Sequence, residues 1–292
     1  MPSDRSIGVF DSGLGGLTVT RAIAAELPQE SITYLGDTAR CPYGERPQEE
    51  VRDFCAQIAR WFSQPEHDVK LLVVACNTAT AAGVPLMQRM LPIPVLGVIA
   101  PGARAVVQAT HTRRVGVLAT EGTVESGQYP RAIHALDAGV QVWQAPSPRS
   151  VRIVEEAVAS PHAFGRDWME DRAFLDTEAA RAVAEEDLAP LMGRGIDALI
   201  LGCTHFPLLK PVYQAVMGPG VTIVSSAEET AREARRYLER GGTLAPAGHE
   251  ARYRFATTGD ELAAFAVAGE YIFGRQLASV AHVDVSTLEG LA

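Results

Sequence analysis

Short, unbroken apolar runs punctuate the chain: Ile7–Phe10, Ile32–Leu35, Leu71–Ala75, Val95–Ile99, Val115–Ala119, Val140–Trp143, Ala198–Leu201 and Val221–Val224. Runs of this length without polar alternation fit parallel strands buried on both faces. Stretches with helical spacing lie between them. Leu17–Leu27 follows a glycine loop and stops at Pro28, and Gln48–Phe62 follows Pro47, which suits a first helical turn. Glu178–Met192 carries Ala and Leu at helical intervals, and Glu228–Leu238 runs on to Gly241-Gly242, a C-cap signal. Strand alternating with helix predicts an α/β fold with mostly parallel sheets. Proline-rich stretches near Pro94–Pro101 and His205–Pro211 divide it into two similar lobes, 1–99 plus 208–292 and 100–207, with a cleft between them. Ligands bind such sheets at the carboxyl ends of the strands, so the loops that follow strands are where chemistry is expected.

Composition narrows the function classes. The 292 residues suffice for two lobes, each with its own core. A net charge of −9 argues against nucleic acid as a partner, because phosphate contacts need clustered Lys and Arg. No apolar run reaches the ~18 residues of a membrane span. The opening MPSDRSIGVFDSG lacks the apolar core of a signal peptide, so the expected compartment is the cytoplasm. The four cysteines, Cys41, Cys55, Cys76 and Cys203, form no CxxC pair, which leaves a structural zinc site without support.

Three strand-end loops carry the informative residues. In IGVFDSGLGG the first strand runs into Asp11-Ser12, then glycines at a helix start, an arrangement that can cradle an anion. Gly13, Gly15 and Thr18 mimic part of a dinucleotide fingerprint, and Asp37 follows where a ribose-binding acid would sit. Against a nicotinamide-dependent dehydrogenase, the third glycine is missing and Asp11 would set a carboxylate beside the pyrophosphate. The other two loops, LLVVACNTAT and ALILGCTHFP, resemble each other: four apolar residues, a small residue, a cysteine, then polar residues. Cys76 and Cys203 are thus each expected at a strand end and a helix N-terminus, where the thiolate is favoured and the pKa falls. One such cysteine is ordinarily a packed, inert thiol. Two copies, one per lobe, place acid–base groups on opposite walls of a cleft, as inversion at a carbon acid requires.

With FDSGLGGLTV, YLGDTARCPYG, VVACNTAT, GVLATEGTVESGQY and LGCTHFPLL in this order, and RYRFATTGD more weakly near the C-terminus, the chain resembles the cofactor-independent aspartate/glutamate racemase family. The resemblance implies a two-lobed α/β enzyme that interconverts L- and D-glutamate without a cofactor or metal. It also implies a homodimer, and D-glutamate supplied to peptidoglycan synthesis. Position by position, it implies Cys76 and Cys203 as catalytic thiols, supported by Asp11, Glu155 and His205. It implies contacts to glutamate from Asp11, Ser12, Tyr43, Gly44, Asn77, Thr78, Thr204 and His205, with Thr120 and Thr123 lining the same site. Upstream of Glu155 the chain reads APSPRSVRIVEE, without the family's usual Cys-Pro, and the stretch Ser160–Asp176 looks like an insertion.

The residue types suit the reaction. Removing the glutamate α-proton creates an enolate-like dianion that must be stabilised by N–H groups, hydroxyls and helix N-termini. Two fixed bases spare one base from swinging between faces. Elsewhere, Cys55 reads as core and Cys41 as structural or just behind the site. His67, His111, His134, His162, His249 and His282 read as solvated, and the Arg/Glu run Arg232–Arg240 as a solvated helix face. The competing readings are a racemase of aspartate or another amino acid, the nicotinamide enzyme, and a two-lobed binding protein without catalysis.

Overall fold

The computed structural model describes residues 1–159 and 175–291, so His162 and nearly all of the expected insertion lie outside the described residues. Two parallel sheets organise the chain. The first has six strands in the order β10-β9-β2-β1-β3-β4, built from β1 (Ser6–Asp11), β2 (Ile32–Gly36), β3 (Val69–Val74), β4 (Val95–Gly97), β9 (Tyr253–Thr257) and β10 (Val280–His282). The second has four in the order β6-β5-β7-β8, from β5 (Arg114–Ala119), β6 (Gln141–Pro146), β7 (Ala198–Gly202) and β8 (Thr222–Ser225). Every pairing is parallel, and the strands β1, β2, β3 and β7 are buried along their whole length. That burial on both faces is why they read as continuous apolar runs.

All eight apolar runs become strands, with ends shifted by a few residues. The run expected through Ile99 stops at Gly97, because Ile99 opens the helix α4 (Ile99–Ala109). The helices α1 (Leu17–Glu26), α2 (Gln48–Phe62), α8 (Glu178–Leu188) and α10 (Ser226–Gly241) lie where helical spacing put them. Two strands escaped notice: β10 is a three-residue edge strand without a buried position, and β9 opens on the partly exposed Tyr253 and Arg254, which break its apolar run. The proline-based split assigns 208–292 to the first lobe, yet Ala198–Leu201 of β7 pairs with Thr222–Ser225 of β8. This strand therefore extends the second sheet. Helix α10 then packs on both α1 and α4, and one apolar cluster continues from Ile7 and Leu17 to Leu199, Leu208 and Ala231. The sheets share this core, and the carboxyl ends of their central strands, β1 and β3 in one and β5 and β7 in the other, meet at the site.

Candidate active site

Most of the candidate side chains sit at or just past the end of a strand. Asp11 ends β1. Beyond β3, Cys76 is the N-cap of α3 (Asn77–Met90), its Sγ accepting the Ala79 N–H at 3.4 Å. Beyond β5 comes Thr120, the N-cap of α5 (Glu121–Ser126), and beyond β7 come Cys203, Thr204 and His205. Cys203 leads into a 3₁₀ turn, Phe206–Leu209, and not into an α-helix as the sequence reading expected. Cys76 and Cys203, both buried, line one cavity with Ser12, Tyr43, Gly44, Asn77, Thr78, Thr120, Thr204 and His205. The cavity measures about 20 Å³, room for roughly one water molecule. Asp11, Thr123 and Glu155 stand behind this lining and touch it.

The wall beyond β7 holds a chain of proton-bearing groups. His205 Nδ1 lies 3.7 Å from Cys203 Sγ, and its Nε2 lies 3.3 Å from Glu155 Oε1, carried by α7 (Pro148–Ala159). The same Glu155 oxygen accepts the Cys41 thiol at 3.5 Å. Burial pulls the His205 imidazolium pKa down, but Cys203 and Glu155 outweigh it and hold it well above its usual value. Burial raises the Glu155 carboxyl, whereas His205 and the Cys41 thiol pull it further the other way, to a net value below the ordinary one. Cys41, read from the sequence as structural or just behind the site, has an acid–base neighbour in Glu155, 114 positions away.

The wall beyond β3 is built differently. Burial, then the charge of Asp11, push the Cys76 thiol up to about 12, against the pull of the Ala79 N–H and the Ser12 hydroxyl. The expected lowering at a helix N-terminus is therefore overturned: taking the thiolate out of water costs more than the first turn returns. Asp11 is fully buried, and burial lifts its carboxyl above the ordinary range despite the His205 charge and the N–H groups of Gly13 and Gly16. Its Oδ2 accepts the Gly13 N–H at 3.0 Å, and its Oδ1 accepts the Thr204 hydroxyl at 3.3 Å, tying the two lobes together.

Hydroxyls and amides fill the rest. Thr78, Thr120 and Thr123 form a triangle with oxygens 3.0 to 3.3 Å apart. Asn77 Oδ1 accepts the Tyr129 hydroxyl at 2.7 Å, while its Nδ2 is buried with no acceptor among the described residues. Such a donor is costly to leave unmatched, and a carboxylate is the acceptor that best satisfies it. The Tyr43 hydroxyl is turned away from the cavity and donates to Asp37. Asp37 is buried and also accepts Arg40 Nε at 2.7 Å, so it offers nothing to a ribose, contrary to the dinucleotide reading.

The glycines of the first loop serve packing. A Cβ on Gly15 would meet Thr204 Oγ1 at 2.4 Å and His205 Nδ1 at 2.7 Å. A Cβ on Gly44 would meet Thr120 Cβ at 2.8 Å. Of the blander readings, Cys55 is core, and the Arg232–Arg240 face is laced with exposed pairs such as Arg235 with Glu239 at 2.9 Å. His67 departs from expectation: it is half-buried and stacks on Trp61 with ring centres 3.5 Å apart.

Two thiols, one from each sheet, face one small cavity among hydroxyl, amide and imidazole side chains, an arrangement that fits the class of isomerases. The chain belongs to the Asp/Glu/Hydantoin racemase family, which it matches over residues 7–234. It is 41% identical over 283 residues to a glutamate racemase of Bacillus cereus, covering 97% of this chain and 98% of that protein. The crystal structure of a glutamate racemase isoform from Bacillus anthracis superposes with a TM-score of 0.86 at 41% identity, covering 96% of this chain and 98% of that one. A glutamate racemase from Francisella tularensis, solved in complex with D-glutamate, gives 0.84 at 30% identity, covering 97% and 99%. Among the described residues no helix is long and apolar enough to cross a membrane.

Proposed function

We propose that this protein interconverts L- and D-glutamate by proton transfer at Cα between two thiols, Cys76 and Cys203, in a cytoplasmic homodimer. The observation that carries the reading is the convergence of these two cysteines, from different sheets, on one cavity. The glutamate-bound relative supports the substrate. The product D-glutamate is assigned to peptidoglycan synthesis, and no cofactor takes part. The lobes are taken as the two sheets with their flanking helices, so that β8 counts with the second.

The reaction begins with one sulfur as thiolate and the other as thiol. Cys203 has a proton acceptor, the His205 imidazole, whose imidazolium form Glu155 stabilises; Cys76, its thiol pushed up chiefly by burial, keeps its proton. In this state Cys203 is the base for one enantiomer. Its sulfur takes the α-proton, the C–H electron pair passes into the adjacent carboxylate, and the Cys76 thiol delivers its proton to the opposite face of Cα. The sulfurs have then exchanged protonation states, which is the starting condition for the reverse reaction. Asn77 Nδ2, the Ser12 and Thr78 hydroxyls and the N-terminus of α3 supply donors for the two negative charges of the intermediate.

A cavity of about 20 Å³ cannot hold glutamate, so binding requires the lobes to part before they close on it. The decisive test is loss of optical rotation from L-glutamate, and separately from D-glutamate, by purified protein dialysed against chelator under reducing conditions. Aspartate and other amino acids run in parallel decide selectivity. Unchanged rotation with glutamate would refute the reading. Light scattering at twice the chain mass of 31.2 kDa is expected for the dimer.

A further inference from the structure

The C-terminal motif RYRFATTGD has no place in the chemistry above, and Thr258 lies beyond the family match, which ends at residue 234. The fold gives it one. Strand β9 pairs with β2, so the loop Thr257–Gly259 lies beside the loop that begins at Asp37. Thr258 Oγ1 donates to Asp37 Oδ1 at 2.8 Å and accepts the Ala39 N–H at 3.0 Å. Thr38 Oγ1 meets Thr257 Oγ1 at 2.5 Å and accepts the Gly259 N–H at 2.9 Å. The other Asp37 oxygen accepts Arg40 Nε at 2.7 Å and the Tyr43 hydroxyl. The Arg40 guanidinium lies 4.1 Å over the Phe54 ring, and the Arg40 carbonyl accepts Arg46 Nε at 2.7 Å, closing the turn around Tyr43-Gly44.

Asp37 is thus a fully buried carboxylate with a neutral donor on one oxygen and a charged and a neutral donor on the other, and it is not among the residues that line the cavity. Its partners are the turn that roofs the cavity on one side and a loop more than 200 positions away on the other. The backbone of that turn is fitted against the second lobe, where Gly44 leaves no room for a side chain beside Thr120. We infer that Asp37, locked by Thr258, is the positioning residue that holds the Tyr43-Gly44 turn in register over the bound substrate. Tyr43 then addresses glutamate through its backbone, its hydroxyl being spent on Asp37. The inference rests on the glutamate racemase reading. It assigns these residues to substrate binding and not to proton transfer, since the side-chain hydrogen bonds of Asp37 and Thr258 go to Arg40, Tyr43, Ala39 and each other, and to none of Cys76, Cys203, Asp11, His205 and Glu155.

The test compares Thr258→Val, which keeps the shape and removes the hydroxyl, with Thr258→Ser, which keeps the hydroxyl. For Thr258→Val, KM for both enantiomers is expected to rise about tenfold with kcat within threefold of wild type and the pH profile of kcat unmoved. Thr258→Ser is expected to restore KM to within twofold. Should Thr258→Val fail to fold, Tyr43→Phe carries the same test from the other side of Asp37, with KM rising at least threefold and kcat held. A folded Thr258→Val enzyme with wild-type KM would overturn the inference, as would a fall in kcat at constant KM or a Thr258→Ser variant as impaired as Thr258→Val. If the wild-type protein racemises no glutamate, it is the underlying reading that fails.

Discussion

The two catalytic walls begin from nearly the same sequence and end in different chemistry. VVACNT and LILGCTH each carry a cysteine past a buried strand. Cys76 then caps a 14-residue helix, with the Ser12 hydroxyl and the Ala79 N–H as its company and Asp11 as an opposing charge. Cys203 caps no helix, and has instead an imidazole at 3.7 Å backed by a carboxylate and a third thiol. One wall is a thiol pushed up by burial and by Asp11, and the other is a thiol set against an imidazole.

The largest test of this contrast removes each sulfur in turn. Cys76→Ser and Cys203→Ser are each expected to lower kcat/KM by more than about 10³-fold in both directions, because a serine hydroxyl is a poor acid–base group at neutral pH. Polarimetry measures the loss. Because the two thiols serve opposite faces, product formed early in heavy water should carry deuterium at Cα while recovered substrate keeps protium. Early product that retained the original hydrogen would mean a single base and end the comparison. Next in size is Gly15→Ala, whose methyl group would displace His205 and Thr204. A loss of roughly 10²-fold in kcat is expected, the scale of a misplaced general acid or base.

Glu155→Gln should weaken only the β7 wall, by about tenfold in kcat. Without the carboxylate the His205 pKa falls, so the alkaline limb of the kcat profile moves to lower pH. The same pair leaves a mark on stability. Glu155 has a lowered value, so its contribution is present above the unfolded carboxyl value of about 4.3 and is lost as pH falls through its folded value. His205 has a raised value, so its contribution is full below about 6.5 and is lost as pH rises through its folded value. Melting curves of wild type and Glu155→Gln should therefore differ most between about pH 4.3 and 6.5, and a pH-independent gap would disprove the coupling. The smallest effect on turnover belongs to Cys55, packed on Gly83 away from the cavity. Cys55→Ala is expected to cost about 1–2 kcal/mol of stability through a small void, measured by denaturant titration, with kcat unchanged.

Much of this was legible in the chain. The apolar runs marked eight strands because burial on both faces leaves a local signature. Most of the proposed contacts, Ser12, Tyr43, Gly44, Asn77, Thr78, Thr120, Thr204 and His205, line one cavity, with Asp11 and Thr123 behind it. The proline stretches misassigned β8, since prolines mark where a chain turns and not which sheet it joins next. The loop glycines were read as an anion cradle, whereas Gly15 and Gly16 give way to His205, Thr204 and Asp11.

The sequence alone, through periodicity and strand-end residues, determined the α/β alternation and the pairing of two cysteines as candidate bases. Tertiary structure decided the surroundings of each thiol, because desolvation and a neighbouring charge are properties of the packed site and not of a residue's place in the chain. It also decided the partners of Cys41 and Asp37, found 114 and 221 positions away in Glu155 and Thr258. Hydrogen bonds of that separation leave no trace in local pattern. They exist only after parallel sheets have brought the ends of distant strands side by side.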